Sequence, residues 1–275
     1  MFKKFLLLLI SIILILNSFS VFAVNESNCY DASEKLLHGN VIFTYTVEKP
    51  FDGLYDMAQI SRAEFATVLL NALRIDVSPI VESSYFQDCE IKDWYTPYIN
   101  KLFELKIVSG YGNDNFKPKS IVTNFEAITM IVRCLGYDNV KTANETYPGK
   151  YLEIAEQLKL LENISVNKAV DEPITNGNMF ILLLNAMRSN INGDTKKLWD
   201  LGTENSSYKK VAGKVTSIND SQYVVATEYQ TTKLKWNYEE NISYYIGKEV
   251  LVWYIESDSD NIVLDMMVAN WYILW

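Results

Sequence analysis

Arg62 is the residue best placed for binding chemistry, standing between Ser61 and Glu64 in the run Ile60-Ser61-Arg62-Ala63-Glu64-Phe65. Ser61 and Glu64 have the spacing of a capping box, in which the hydroxyl accepts the N3 amide proton and the carboxylate reaches back to the cap's own amide. Arg62 is therefore expected just inside a helix N-terminus, where free amides and the dipole favour an anion. A guanidinium adds a planar fork suited to a carboxylate. A surface arginine paired with a neighbouring acid would be worth only ~0–1 kcal/mol.

Little else points to catalysis. His38 is the single histidine, which removes a histidine-based triad and a multi-histidine metal site. A glycosidase needs two carboxylates across a cleft, and Asp171-Glu172 and Glu239-Glu240 read as turn or linker acids. Asn113-Asp114-Asn115 has one carboxylate and no distal glutamate, far short of a calcium loop. Neither a glycine-rich phosphate loop nor a dinucleotide fingerprint is present. Cys29, Cys89 and Cys134 are odd in number and widely spaced, so no metal knuckle or disulfide framework is expected; Cys134 reads as a reduced thiol on a buried helix face. No metal, no cofactor and no enzymatic activity are expected.

The elements that position Arg62 repeat. Segments 60–73, 122–136 and 174–187 each run from a hydroxyl residue into a long apolar helix. Thr123 with Glu126 forms a second capping box, while Thr175 faces Asn178 in place of an acid. Ala127, Ile131 and Leu135, flanked by Ile128 and Val132, keep helical spacing up to Gly136, a C-terminal cap. A partner helix is expected before each, over 94–107 with Asp93 as its cap, over 151–161, and less distinctly over 30–41. Between partners the middle unit has the loop Gly110-Tyr111-Gly112-Asn113-Asp114-Asn115-Phe116-Lys117-Pro118. Its two glycines allow positive backbone angles, and Phe116 is placed to plug the loop onto the core. A lone αα-hairpin cannot bury its apolar face, so the three units are expected to pack together.

The run Trp94…Tyr98-Ile99…Leu102…Ile107-Val108-Ser109-Gly110-Tyr111-Gly112…Phe116-Lys117-Pro118…Val122-Thr123…Glu126-Ala127…Arg133…Leu135-Gly136-Tyr137 resembles an S-layer homology repeat from end to end. Ile60-Ser61-Arg62-Ala63-Glu64 is similar to that family's Ile-Thr-Arg-Ala-Glu signature. The resemblance covers about 28–190, clear in the middle repeat and diffuse in the third. It implies a pseudo-threefold helical bundle that binds a secondary cell-wall polysaccharide, commonly pyruvylated, in grooves between repeats, with the signature arginine on the anionic sugar. Asn124 and Asn176 replace that arginine in the other two repeats and lack its charge. On this reading the glycan-binding residues are Arg62, Trp94, Gly110, Tyr111 and Gly112. Trp94 and Tyr111 would stack on sugar rings, although Trp94 is equally placed to be a core tryptophan.

Residues 1–23 have the form of a secretory signal: Lys3 and Lys4, an apolar run over 5–16, then Val21-Phe22-Ala23. The run falls short of the ~20 residues of a membrane span, and the residues before Cys29 do not form a lipobox. Removal of 1–23 takes two lysines and no acids, leaving 23 basic and 34 acidic residues and a formal charge of −11. That sign argues against nucleic acid, and no other run is long enough to cross a bilayer. From 208 onward the residues become β-formers, at 211–218, 223–229, 232–238, 244–255 and 262–268. Alternation of Lys233, Lys235 and Asn237 with Leu234, Trp236 and Tyr238 gives one solvated face. The apolar 271–275 segment reads as a docking strand or interface patch.

The expected fold class is multidomain α + β, a pseudo-threefold bundle followed by a small antiparallel β-barrel-like module. Its expected boundaries are a signal at 1–23, repeats at 28–80, 81–140 and 141–191, a linker at 192–207 with Leu198, Trp199 and Leu201 docking it, and the β module at 208–275. The function implied is non-covalent anchoring of a secreted protein to the bacterial wall, in keeping with the lack of a Leu-Pro-x-Thr-Gly sorting signal. Secondary cell-wall polysaccharide is the expected partner, with no nucleic acid, no membrane after signal cleavage, and the β module open to a surface-protein partner. Two alternatives compete, a degenerate repeat scaffold for protein–protein assembly and a wall-active glycosidase.

Overall fold

The computed structural model describes residues 59–204, 209–219, 222–226, 231–235, 242–256 and 261–268, with Cys29, Ala32, Ser33, Lys35 and Leu36 as helical positions near the N-terminus. The export segment at 1–23, most of the helix expected over 30–41 and the 271–275 segment lie outside the described residues.

Helices α1 (Arg62–Ala72), α3 (Asn124–Cys134) and α5 (Asn176–Arg188) start at Ser61, Thr123 and Thr175. Both capping boxes form: Glu64 N donates to Ser61 Oγ and Glu126 N to Thr123 Oγ1, each at 3.3 Å, while the two carboxylates accept the cap amides. At the third, Thr175 accepts from Asn178 N, but the Asn178 side chain turns away and donates to Ser165 O. Each such cap stabilises its helix by ~0.5–2 kcal/mol. The three helices are buried on nearly every side, whereas α2 (Thr96–Glu104) and α4 (Gly149–Gln157) bury a single face through Ile99 and Leu102 and through Ile154 and Ala155. A helix apolar all round belongs at the centre of a bundle, and an amphipathic one at its rim.

The segments leading into the three capped helices meet one another. Ser61 bridges Ile121, Thr123 bridges Pro173, and Gln59 bridges Thr175. Val122 N donates to Ile60 O and Ile174 N to Val122 O, both at 3.0 Å.

Two local expectations need correction. Helix α2 begins at Thr96 and not at Trp94, because Pro97 lies in its first turn, where a fixed φ and a missing N–H suit a helix start. Asp93 does not cap it; its carboxylate accepts Glu90 N and the Tyr95 hydroxyl.

The C-terminal region, from residue 209 on, holds a curled sheet of strands β1 (Lys209–Asn219), β2 (Gln222–Ala226), β3 (Thr231–Lys235), β4 (Glu249–Glu256) and β5 (Asn261–Val268). They pair in the order β1-β2-β3-β5-β4, and β1 pairs with β4 to close the circuit. All pairings are antiparallel except β3 with β5, which meet in parallel at Lys235 and Ile262. The strand expected over 244–255 starts later, since residues Ile242–Tyr245 form a 3-10 turn and Gly247, at φ 77°, reverses the chain before Glu249.

Val211, Val215, Val250, Val252 and Val263 fill the inside of the sheet. Trp253 and Leu264 instead join the helical core, beside Leu198 and Trp199. The expected polar linker is thus docked along part of its length: Leu198 and Trp199 are buried, and α6 (Asp200–Glu204) follows them. Asp265 of β5, fully buried, accepts Arg188 Nε at 2.7 Å, Arg188 Nη2 at 2.5 Å and Trp199 Nε1 at 3.1 Å, with Lys35 Nζ at 3.6 Å. Trp253 Nε1 donates in turn to Asp200 at 2.9 Å. Helices and sheet are joined through apolar packing and a buried ion cluster.

Candidate functional site

The loop after α2 turns back at Gly110, φ 68°, and closes when Tyr111 N donates to Asn115 O. Asp88 fixes its far limb by accepting Phe116 N at 2.8 Å and Lys117 N at 2.7 Å, and Phe116 is fully buried. Of the two loop glycines only Gly110 needs its freedom. A Cβ there would lie 2.5 Å from Phe86 Cε1 and 2.7 Å from Asn115 O, whereas one on Gly112 meets nothing within 4 Å. Gly112 is not in the left-handed region; Asn113 and Asp114 carry that geometry instead, at φ 60° and 52°. Left-handed strain and overpacking together make Gly110→Ala cost roughly 2–4 kcal/mol, and Gly112→Ala is expected within about 0.5 kcal/mol of the parent. Urea midpoints measure both; equal shifts would refute this division of roles.

Between the start of α1, this loop, one face of α3 and Tyr147 lies a cavity of about 260 Å³, lined among others by Arg62, Gly110, Tyr111, Glu126, Thr129 and Arg133. Arg62 is only 5% exposed. Its Nε donates to Phe116 O at 3.0 Å, and its Nη1 pairs with Glu126 Oε2 at 3.0 Å. Nη2 has no partner among the described residues and is the group left for a ligand. The guanidinium carbon lies 4.7 Å from the centre of the Tyr111 ring and 4.6 Å from that of Phe116. Burial pushes the Arg62 pKa down, and the charge and hydrogen bond of Glu126 oppose that shift.

The helix N-terminus itself offers an anion less than expected. Arg62 N donates to Ser120 O and Ala63 N to Pro118 O, so the first amides of α1 are already bonded. At α3, Asn124 N goes to Glu172 O and Phe125 N to the Asp171 carboxylate. The bridging of neighbouring segments uses the donors that an isolated helix would leave free.

Of the expected site residues, Arg62, Gly110 and Tyr111 come together at the cavity, while Gly112 and Trp94 do not line it. Trp94 is 56% exposed, with its ring edge-on to Tyr95 and Tyr98, so it is neither a core tryptophan nor part of this groove. The Tyr111 hydroxyl donates to Glu126, and its ring contacts both Arg62 and Lys117, which makes it a support for Arg62. Asn124 and Asn176 are buried, and Asn124 Nδ2 donates to Glu172 O.

Four contributors went unread in the sequence. Arg133 brings a second guanidinium, bound to Asp138 through Nε at 3.1 Å and to the Tyr151 hydroxyl through Nη2 at 2.8 Å. Glu126, a capping acid by its spacing, also pairs with Arg62 and accepts the Tyr111 hydroxyl. Thr129 is 6% exposed, and its hydroxyl has no partner. Tyr147 is 58% exposed and offers the cavity an open ring. A readable signal existed for Arg133, a lone charge within the apolar run 127–135.

The arrangement suits a small polyhydroxylated anion: a spare guanidinium group, an unsatisfied hydroxyl and an aromatic face around a small cavity. No cluster of three metal-ligating side chains occurs among the described residues, and no described helix is long and apolar enough to cross a membrane.

Residues 86–128 match the family model described as the S-layer homology domain. The chain is 33% identical over 132 residues to the "Middle cell wall protein" of Brevibacillus brevis, covering 47% of this chain and 12% of that protein. It is 31% identical over 108 residues to the "Surface layer protein" of Brevibacillus choshinensis, 38% of this chain and 10% of the relative. Against "Cell surface glycoprotein 1" of Acetivibrio thermocellus it is 32% identical over 111 residues, 35% of this chain and 5% of the relative. The chain thus spans roughly a tenth or less of the length of these relatives.

Proposed function

We propose that this chain, whose residues 86–128 match the S-layer homology domain model, is a non-catalytic anchor that holds a secreted protein to the bacterial cell wall. It binds an anionic wall polysaccharide, of the pyruvylated kind, in the Arg62 groove. The observation that carries this reading is the cavity shared by Arg62, Thr129, Arg133 and Tyr147. A carboxylate ketal on the sugar takes the spare Arg62 N–H groups, a ring hydroxyl takes Thr129, and the pyranose lies on Tyr147. The cyclic bridging of the three pre-cap segments supports a bundle of three related hairpins, of which only this groove has an arginine at the helix start. The names of the relatives support a place at the cell surface.

A second reading, a repeat scaffold for protein assembly, is favoured by the internal pairing of Arg62 with Glu126 and of Arg133 with Asp138. Co-sedimentation separates the two. The purified protein is expected to pellet with native wall sacculi and to stay in solution after the secondary polysaccharide has been extracted from them. Pelleting that survives extraction would remove the polysaccharide reading and leave the scaffold.

A further inference from the structure

The Arg62 cavity, at about 260 Å³, is below the ~300–1,000 Å³ usual for small-molecule sites, so it accommodates one sugar and not a chain. A polymer must continue somewhere. Directly beside it is a second cavity of about 420 Å³ that shares Val108, Ser109 and Arg133 with the first and adds Tyr85, Phe103, Glu104 and Lys106.

We propose that this second cavity is a subsite for the sugar next to the anionic one, so that the unit recognised is at least a disaccharide. The inference rests on the anchoring reading of the first groove. Tyr85 and Phe103 are 50% and 37% exposed, with ring centres 4.8 Å apart and planes tilted by 37°, which forms a shallow aromatic cradle. The electron-rich face of such a ring attracts the weakly positive C–H groups of a pyranose.

The cradle is held in place before any ligand arrives. Asn100 of α2 accepts Tyr85 N at 3.2 Å and donates to Ser83 O at 2.8 Å, and the ring of Phe103 lies edge-on against Phe86. Arg133 is paired with Asp138 and Glu104 with Lys101, while Lys106, also in the lining, has no ion pair among the described residues and can donate to a sugar hydroxyl. The Tyr85 hydroxyl has no partner among the described residues and is available to a sugar hydroxyl. The aromatic contacts hold the ring of the neighbouring sugar here, and the Arg62 side selects the anion.

The test compares a pyruvylated monosaccharide with a trisaccharide ending in the same pyruvylated sugar, by titration calorimetry on the mature protein. The parent is expected to bind the trisaccharide about tenfold more tightly than the monosaccharide. Tyr85→Ala, at an exposed position, should abolish that gain without changing monosaccharide affinity, and Tyr85→Phe should keep most of it. If the parent binds both sugars equally, or Tyr85→Ala retains the gain, the subsite is refuted while the Arg62 reading stands. If neither sugar binds the parent, the Arg62 reading fails and the subsite with it.

Discussion

Arg62→Ala is expected to bind native sacculi at least about tenfold more weakly than the parent. Two effects act in the same direction. The variant loses the Arg62 Nη2 group, which combines positive charge with vacant hydrogen bonds, and a charge-assisted bond is worth ~1.5–3 kcal/mol against ~0.5–1.5 for a neutral one. It also exposes the incoming anion to Glu126, whose carboxylate is now neutralised by Arg62 Nη1 at 3.0 Å. Arg62→Ala combined with Glu126→Gln should therefore recover part of the loss, an outcome that simple damage to the fold would not give. Asn124→Ala and Asn176→Ala should change binding little, because neither residue lines the cavity. The measurement is a sedimentation isotherm for each variant, with circular dichroism to confirm helix content. If Arg62→Ala binds like the parent, the charge-based account is wrong and stacking on Tyr147 carries the affinity.

The largest loss of stability is expected at Asp265. Removing one partner of a buried ion cluster leaves its counter-charges desolvated, at a cost of about 3–5 kcal/mol. Asp265→Ala should accordingly lower the melting temperature by roughly 6–20 °C in a chain of this size. Asp265→Asn retains an acceptor for the Trp199 indole but not the charge for Arg188 and Lys35, and should fall between the two. Burial alone would raise the Asp265 pKa, but Arg188, Lys35 and the Met266 amide together hold it below the ordinary carboxylate value. A depressed folded pKa contributes stability above the unfolded value, and this is lost as the pH falls through the folded one. The parent should therefore lose more stability on acidification than Asp265→Asn does. Denaturant midpoints taken across the acidic range decide the matter, and parallel curves for the two proteins would show that Asp265 contributes no such charge.

What could be read from the sequence was what is encoded locally. Ser61, Thr123 and Thr175 mark their helix starts because a cap needs only three consecutive residues after it. Strand positions followed from alternation and the β-branched residues, although Gly247 delayed one start. The groove was only half legible. Arg62 stood out by its position next to a cap, but Glu126, Thr129, Arg133 and Tyr147 join it through the packing of α1 against the next two hairpins, which no single segment encodes. The ordered bonds from Arg62 N and Ala63 N to the 118–120 segment are likewise a product of tertiary contact, and they reversed the expectation of free amides. Asp265 left a trace, an acid between Leu264 and Met266 in an apolar strand, yet its partners lie on distant elements. Tryptophan fits a core and a sugar platform equally well, and only tertiary packing leaves Trp94 exposed and outside the Arg62 cavity.

The bridges Ser61–Ile121, Thr123–Pro173 and Gln59–Thr175 limit how such a protein can be enlarged. Each segment meets both of the others, so the set is a closed ring and not an open row. An open solenoid has a free edge at each end and lengthens by adding units there. A ring has no free edge, and a fourth such segment could enter only by breaking one bridge and widening the circuit that leads into α1, α3 and α5. Duplication of a single unit would therefore leave the extra copy unpacked, and on the anchoring proposal stronger attachment would come from a second complete ring on the same chain or from assembly of several chains, where linked sites raise avidity without any new contact.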